Sequence, residues 1–133
     1  MDTSALPVSV VLIEAHPLMR EALLAALTAE PGWHVAALPD NHDVIVPAVC
    51  AAPPDLILLS LGNPGSADLR LLAALRHALP TLSILVLITN EVPHQGEAAL
   101  IAGASHVITK AAPREELVRV VRAMLHTWLQ GAA

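Results

Sequence analysis

Val8-Ser9-Val10-Val11-Leu12-Ile13 is a short run rich in β-branched residues that stops against Glu14-Ala15-His16-Pro17. A nearly continuous apolar run of this length reads as a strand covered on both faces, as strands of parallel sheets are. Pro17 suits the first turn of a helix, where its missing N–H removes no bond. Leu18 to Ala29 follows as that helix, with Met19, Leu23 and Leu27 in a core stripe and Pro31-Gly32 as its stop.

The same beat continues outward. His34 to Leu38 predicts a weak strand, and residues 41–52 a weak helix interrupted by Pro47. Leu56 to Ser60 predicts a buried strand, followed by the Gly62-Asn63-Pro64-Gly65 loop and a helix to Ala78 that Ser66 or Asp68 can cap. Ser83 to Ile88 is the next strand, about 94–103 a short helix, His106 to Thr109 the last strand, and Pro113 opens the final helix. Five β-α units imply one α/β domain over residues 1–133, a doubly wound parallel sheet with helices on both faces. Ligands of such sheets sit at the carboxyl ends of the strands. Glu14-Ala15-His16, Ser60-Leu61, Ile88-Thr89-Asn90 and Lys110 are therefore the places to read for function.

The chain has 133 residues, enough for one core without a metal or disulfide staple. Hydrophobic residues are 55% and charged residues 14%, which excludes a disordered tail and leaves spare apolar surface for a partner or a homodimer. The net charge of -5 gives no global attraction to nucleic acid, so DNA contact would need a basic patch or a further domain. The one cysteine, Cys50, excludes an internal disulfide and a cysteine-based zinc site. Met1-Asp2-Thr3-Ser4 is not the start of a secretory signal, and the apolar runs are too short to cross a membrane. A soluble cytoplasmic protein is the expectation.

Residues 11–23, Val-Leu-Ile-Glu-Ala-His-Pro-Leu-Met-Arg-Glu-Ala-Leu, resemble the opening of a response-regulator receiver domain of the NarL/LuxR-type branch. Residues 54–65 resemble the third strand and loop of that family, and residues 102–110 its fifth strand. The resemblance runs from about Val8 to Leu125. It implies a flavodoxin-like fold with strand order 2-1-3-4-5. It also implies phosphoryl transfer to an acid ending strand three, Mg²⁺ held by that acid and two more ending strand one, and a Lys ending strand five. A hydroxyl on strand four and an aromatic on strand five would relay the change.

This chain departs from that set at most positions. Ser60 stands at the acceptor position, and Glu14-Ala15 replaces the acid pair. Ile88 stands at the switch position, where a one-residue slip would bring Thr89, and Val107 stands at the aromatic position. Lys110 alone is retained. Mg²⁺ wants carboxylate oxygens, so one carboxylate facing an ammonium predicts that the metal is lost. A serine needs a neighbouring base, and no metal template would organise the phosphoryl group. Ser60 is expected as a plain strand-end serine, and Glu14 with Lys110 as a structural ion pair. The seven histidines show no metal-ligand spacing. His106 is expected as a packing residue.

On the last helix, Arg114, Arg119 and Arg122 either form a solvated face, with Glu115–Arg119 pairing, or belong to a partner surface. Val118, Leu125 and Leu129 would supply its apolar stripe, while Leu117, Val121, Met124 and Trp128 face the core. The resemblance also implies a helix-turn-helix domain after a linker, which residues 127–133 would begin. The expected function is a degenerate receiver, not an enzyme, that regulates an output through protein contacts and reaches DNA only through such a further domain. The alternatives are a small-molecule sensor using the vacated pocket and a phosphoacceptor with another nucleophile.

Overall fold

The computed structural model describes residues 7–38, 41–62, 65–89 and 91–132, with side chains described as far as His126. Strands and helices alternate as β1 (Val8–Ile13), α1 (Pro17–Thr28), β2 (Trp33–Ala37), α2 (His42–Ala51), β3 (Leu56–Ser60), α3 (Ser66–Ala78), β4 (Ser83–Ile88), α4 (Gln95–Ala102), β5 (His106–Thr109) and α5 (Arg114–Ala132). The strands form one parallel sheet in the order β2-β1-β3-β4-β5.

Strand alternation splits the core in two. Val11, Ile13, Ile57, Leu59, Ile84 and Val86 pack with Ile45 and Val49 of α2, Leu72 and Leu75 of α3 and Ala99 of α4. Val10, Leu12, Leu56, Leu58, Leu85, Leu87 and Ile108 pack with Leu23 and Leu27 of α1 and Leu117, Val121 and Leu125 of α5. Every residue of β3 is buried, which is why its five letters read so clearly as a strand.

Helix α2 forms in spite of Pro47. A proline inside a helix costs about 3 kcal/mol. Burial of Ile45 and Val49 returns about 1.5–3 kcal/mol each. The Asn41 side chain also caps the helix by accepting from the Asp43 N–H at 3.1 Å. Helix α3 has Gly65 at its N-cap and no capping side chain: Ser66 and Asp68, the expected caps, both lie inside its first turn, and Asp68 accepts from the Gly62 N–H instead. The backbone of residues 127–132 continues α5. Among the described residues, no helix is long and apolar enough to cross a membrane.

Candidate functional site

A parallel sheet brings all its carboxyl ends to one edge, and alternation decides which side chains meet there. Glu14 follows Val10 and Leu12, Ser60 follows Leu56 and Leu58, and Lys110 follows Ile108. All three therefore belong to the α1–α5 side. Ile88 follows Ile84 and Val86 and belongs with Val107 to the opposite side, where both pack on the α2–α4 core.

Glu14 is 6% exposed. Its Oε2 accepts from the His16 N–H at 2.9 Å, so the carboxylate ties down the turn that leads into α1. Its Oε1 is buried without a hydrogen-bond partner, and so is Oγ of Ser60, which is also 6% exposed. Two orphaned polar atoms thus lie at the ends of adjacent strands, with Ile13 opposite Leu59 in the register just before them. Ala15 is exposed and offers no donor or acceptor from its side chain.

The expected ion pair between Glu14 and Lys110 does not form. Lys110 Nζ instead donates to the Leu61 carbonyl at 2.5 Å. That oxygen lies just past β3, beyond the strand ladder, and an ammonium makes a charge-assisted bond to it. Glu14, His16, Leu18, Met19, Ala22 and Lys110 line a cleft of about 440 Å³. Opposite charges thus share one cleft without pairing.

The loop after β3 is tied on every side. The Leu61 N–H donates to the Leu87 carbonyl at 2.9 Å, and the Gly62 N–H to Asp68 Oδ2 at 2.8 Å. The Gly62 carbonyl accepts from Gln95 Nε2 at 3.2 Å. With the Lys110 bond, all four backbone polar groups of Leu61 and Gly62 are engaged. Gln95 is 5% exposed, and its Oε1 accepts from the Thr89 N–H at 2.8 Å, so one side chain joins the ends of β3 and β4. Gly65 sits at φ +78°, and a Cβ there would lie 2.8 Å from the Gly62 carbonyl oxygen. Asp68 Oδ1 is 3.2 Å from His42 Nε2, which connects α3 to α2.

Ile88 ends β4 opposite Thr109, so the structure places Ile88, not Thr89, on the strand. Thr89 lies past its end, and its hydroxyl accepts from the Glu91 N–H at 3.3 Å. A Cβ on Gly96 would approach Ile88 at 3.2 Å and Val107 at 3.8 Å. The absence of that carbon lets α4 lie close over this apolar pair.

The donor set at this edge does not suit Mg²⁺. A hard ion of that kind needs several free oxygens. Among the described side chains, only Glu14 brings a carboxylate oxygen to the cleft, the Gly62 carbonyl is already engaged, and an ammonium lines the same space. Among the described residues, no group of three or more His, Cys, Asp or Glu side chains is arranged to hold a metal ion.

The expected partner surface on α5 requires correction. Val118 and Leu125 are buried, at 7% and 5% exposure, because both rotate inward with Leu117 and Val121. Leu129 and Trp128 carry side chains outside the described residues. Arg122 is engaged within the molecule, paired with Glu30 and 6.0 Å from the Trp33 ring centre. Arg114 and Arg119 are exposed, and Glu115 and Arg119 do not pair. His106, expected to be packed, is exposed at the mouth of a second cleft of about 510 Å³ between Ser83 and α5. Sequence reasoning missed Gln95. The sequence places Gln95 at the start of the short helix at about 94–103, and no local signal marks that one amide as buried.

A family model described as the response regulator receiver domain matches residues 10–122. The chain is similar to the transcriptional regulatory protein TcrX of Mycobacterium tuberculosis, 31% identical over 119 residues covering 90% of this chain and 50% of TcrX. It is similar to the nitrate/nitrite response regulator protein NarP of Escherichia coli strain K12, 30% identical over 90% of this chain and 55% of NarP. Its fold matches the signal receiver domain of the response regulator NarL from Mycobacterium tuberculosis at a TM-score of 0.78, with 27% identity over 91% of this chain and 98% of that one. The chain spans about half the length of these curated relatives.

Proposed function

This chain belongs to the response regulator receiver domain family, and from that premise we propose that it signals through protein contacts without a phosphorylation cycle. Membership makes it a module of two-component signalling. The finer reading rests on one observation above the others: the Gly62 N–H and carbonyl beside Ser60 are both taken, by Asp68 and Gln95.

A phosphoryl group arriving over Ser60 needs N–H donors for its oxygens and a cation for its charge. The Gly62 N–H is engaged, and among the described side chains Glu14 alone brings a carboxylate to the cleft for a metal. Ser60 lacks the other requirement of a nucleophile, a base within hydrogen-bond reach, since its Oγ has no hydrogen-bond partner. The relay is altered as well. Ile88 and Val107 are apolar and hold α4 by packing, so no hydroxyl or ring hydroxyl changes partners there. In this reading Mg²⁺ is not a cofactor, and the domain presents one surface whose partner, or second copy, sets the output. Any contact with DNA runs through a domain beyond this chain.

Incubation with acetyl phosphate and Mg²⁺, followed by intact-protein mass measurement, tests the proposal. The expected spectrum shows the unmodified chain. Stoichiometric gain of one phosphoryl group would overturn it.

A further inference from the structure

We propose that the cleft between Glu14 and Lys110 binds a small zwitterion, an α-amino acid with an apolar side chain. The proposal rests on the reading that no phosphoryl group fills this pocket.

Three observations converge on it. Glu14, which lines the cleft, is more than nine-tenths buried and its Oε1 has no partner. A buried acceptor left unmade is costly, so a missing donor is expected there. Lys110 uses one bond, to the Leu61 carbonyl, and lines the cleft with N–H donors to spare. Finally, the wall between the two charges is apolar. Met19 and Ala22 belong to it, and Leu18, at 74% exposure, stands at its edge with no cover.

Opposite charges that share a cleft but do not pair are complementary to a ligand that carries both. The ligand's ammonium pairs with the Glu14 carboxylate, whose Oε1 has no partner within the molecule. Its carboxylate accepts from the free N–H donors of Lys110, and its side chain covers Leu18, Met19 and Ala22. The volume of about 440 Å³ lies toward the small end of the range for small-molecule sites, which suits a compact molecule. A peptide N-terminus lacks the free carboxylate at the α-carbon and is excluded by the same chemistry. A bridging water would satisfy the two orphaned atoms but would leave Lys110 and the apolar wall unexplained.

Calorimetric titration of the full chain with leucine, valine and methionine in turn tests this, with no phosphodonor and no Mg²⁺ present. Failure here therefore leaves the labelling experiment untouched. At least one of the three is expected to bind saturably. Leucinamide, without the carboxylate, and isocaproate, without the ammonium, should each bind about tenfold more weakly than leucine or worse. Glu14→Gln and Lys110→Met should each weaken binding to a similar degree, with circular dichroism confirming the fold. The ligand series on the unaltered protein decides the matter if either variant fails to fold. Absence of saturable binding by all three amino acids, as for a pocket holding water alone, would overturn the proposal. So would leucinamide or isocaproate binding as tightly as leucine.

Discussion

The carboxyl edge of the sheet has two sides, and they treat their polar groups in opposite ways. Toward α4, Asp68 and Gln95 engage the N–H and carbonyl of Gly62, while the Leu87 carbonyl and Lys110, reaching from the α1–α5 side, engage those of Leu61. On the side of α1, Glu14 Oε1 and Ser60 Oγ are buried with nothing to bond. The same few residues thus hold a loop that is fully satisfied beside a pocket that is not. A site that changes state needs a loop able to exchange partners. This one has its loop fixed and its unmet bonding capacity buried at the ends of β1 and β3.

The sharpest way to break that contrast is Gln95→Leu. It removes both bonds of the strap and leaves the Thr89 N–H without its acceptor and the Gly62 carbonyl without its donor. A loss of about 2–3 kcal/mol in urea unfolding is expected, with faster hydrogen exchange at Thr89. A loss below about 0.5 kcal/mol would mean that the loop does not depend on Gln95.

A smaller effect is expected from Gly65→Ala. The residue adopts φ +78°, and the added carbon would meet the Gly62 carbonyl oxygen. The expected destabilisation is about 1–2 kcal/mol by the same assay, whereas an unchanged midpoint would show that the loop can relax away.

The smallest effect, on the open side, is the most diagnostic. Ser60→Ala removes a hydroxyl that has no partner, so stability should stay within about 0.5 kcal/mol or rise. A loss of about 2 kcal/mol would reveal a bond to Ser60 and erase the contrast between the two sides.

Much of this edge is legible in the sequence because topology does the placing. Once Val8–Ile13, Leu56–Ser60 and His106–Thr109 are read as parallel strands, period-two alternation sends Glu14, Ser60 and Lys110 to one side. The same arithmetic puts Ile88 and Val107 on the other. What the letters do not carry is choice among partners. Lys110 has two acceptors within its side-chain reach, a carboxylate and a carbonyl, and only the folded loop decides for Leu61. Gln95 is invisible for the related reason that its two partners are backbone groups just past the ends of two different strands, one of them 33 residues away. The α5 stripe misled because helical spacing reports which residues share a face and not how wide the buried arc is. With α1 against it and the sheet beneath, that arc takes in Val118 and Leu125 as well as Leu117 and Val121.

The central claim is that the pocket beside Gly62 is closed to a phosphoryl group and its metal. Amide NMR of the labelled protein titrated with beryllofluoride and Mg²⁺ examines that point at the atom concerned. The Gly62 amide signal should stay in place through the titration, because its N–H is held by Asp68 and no acid accepts the fluoride adduct. A saturable shift of that signal, with those of Ser60 and Leu61 moving alongside it, would contradict the account.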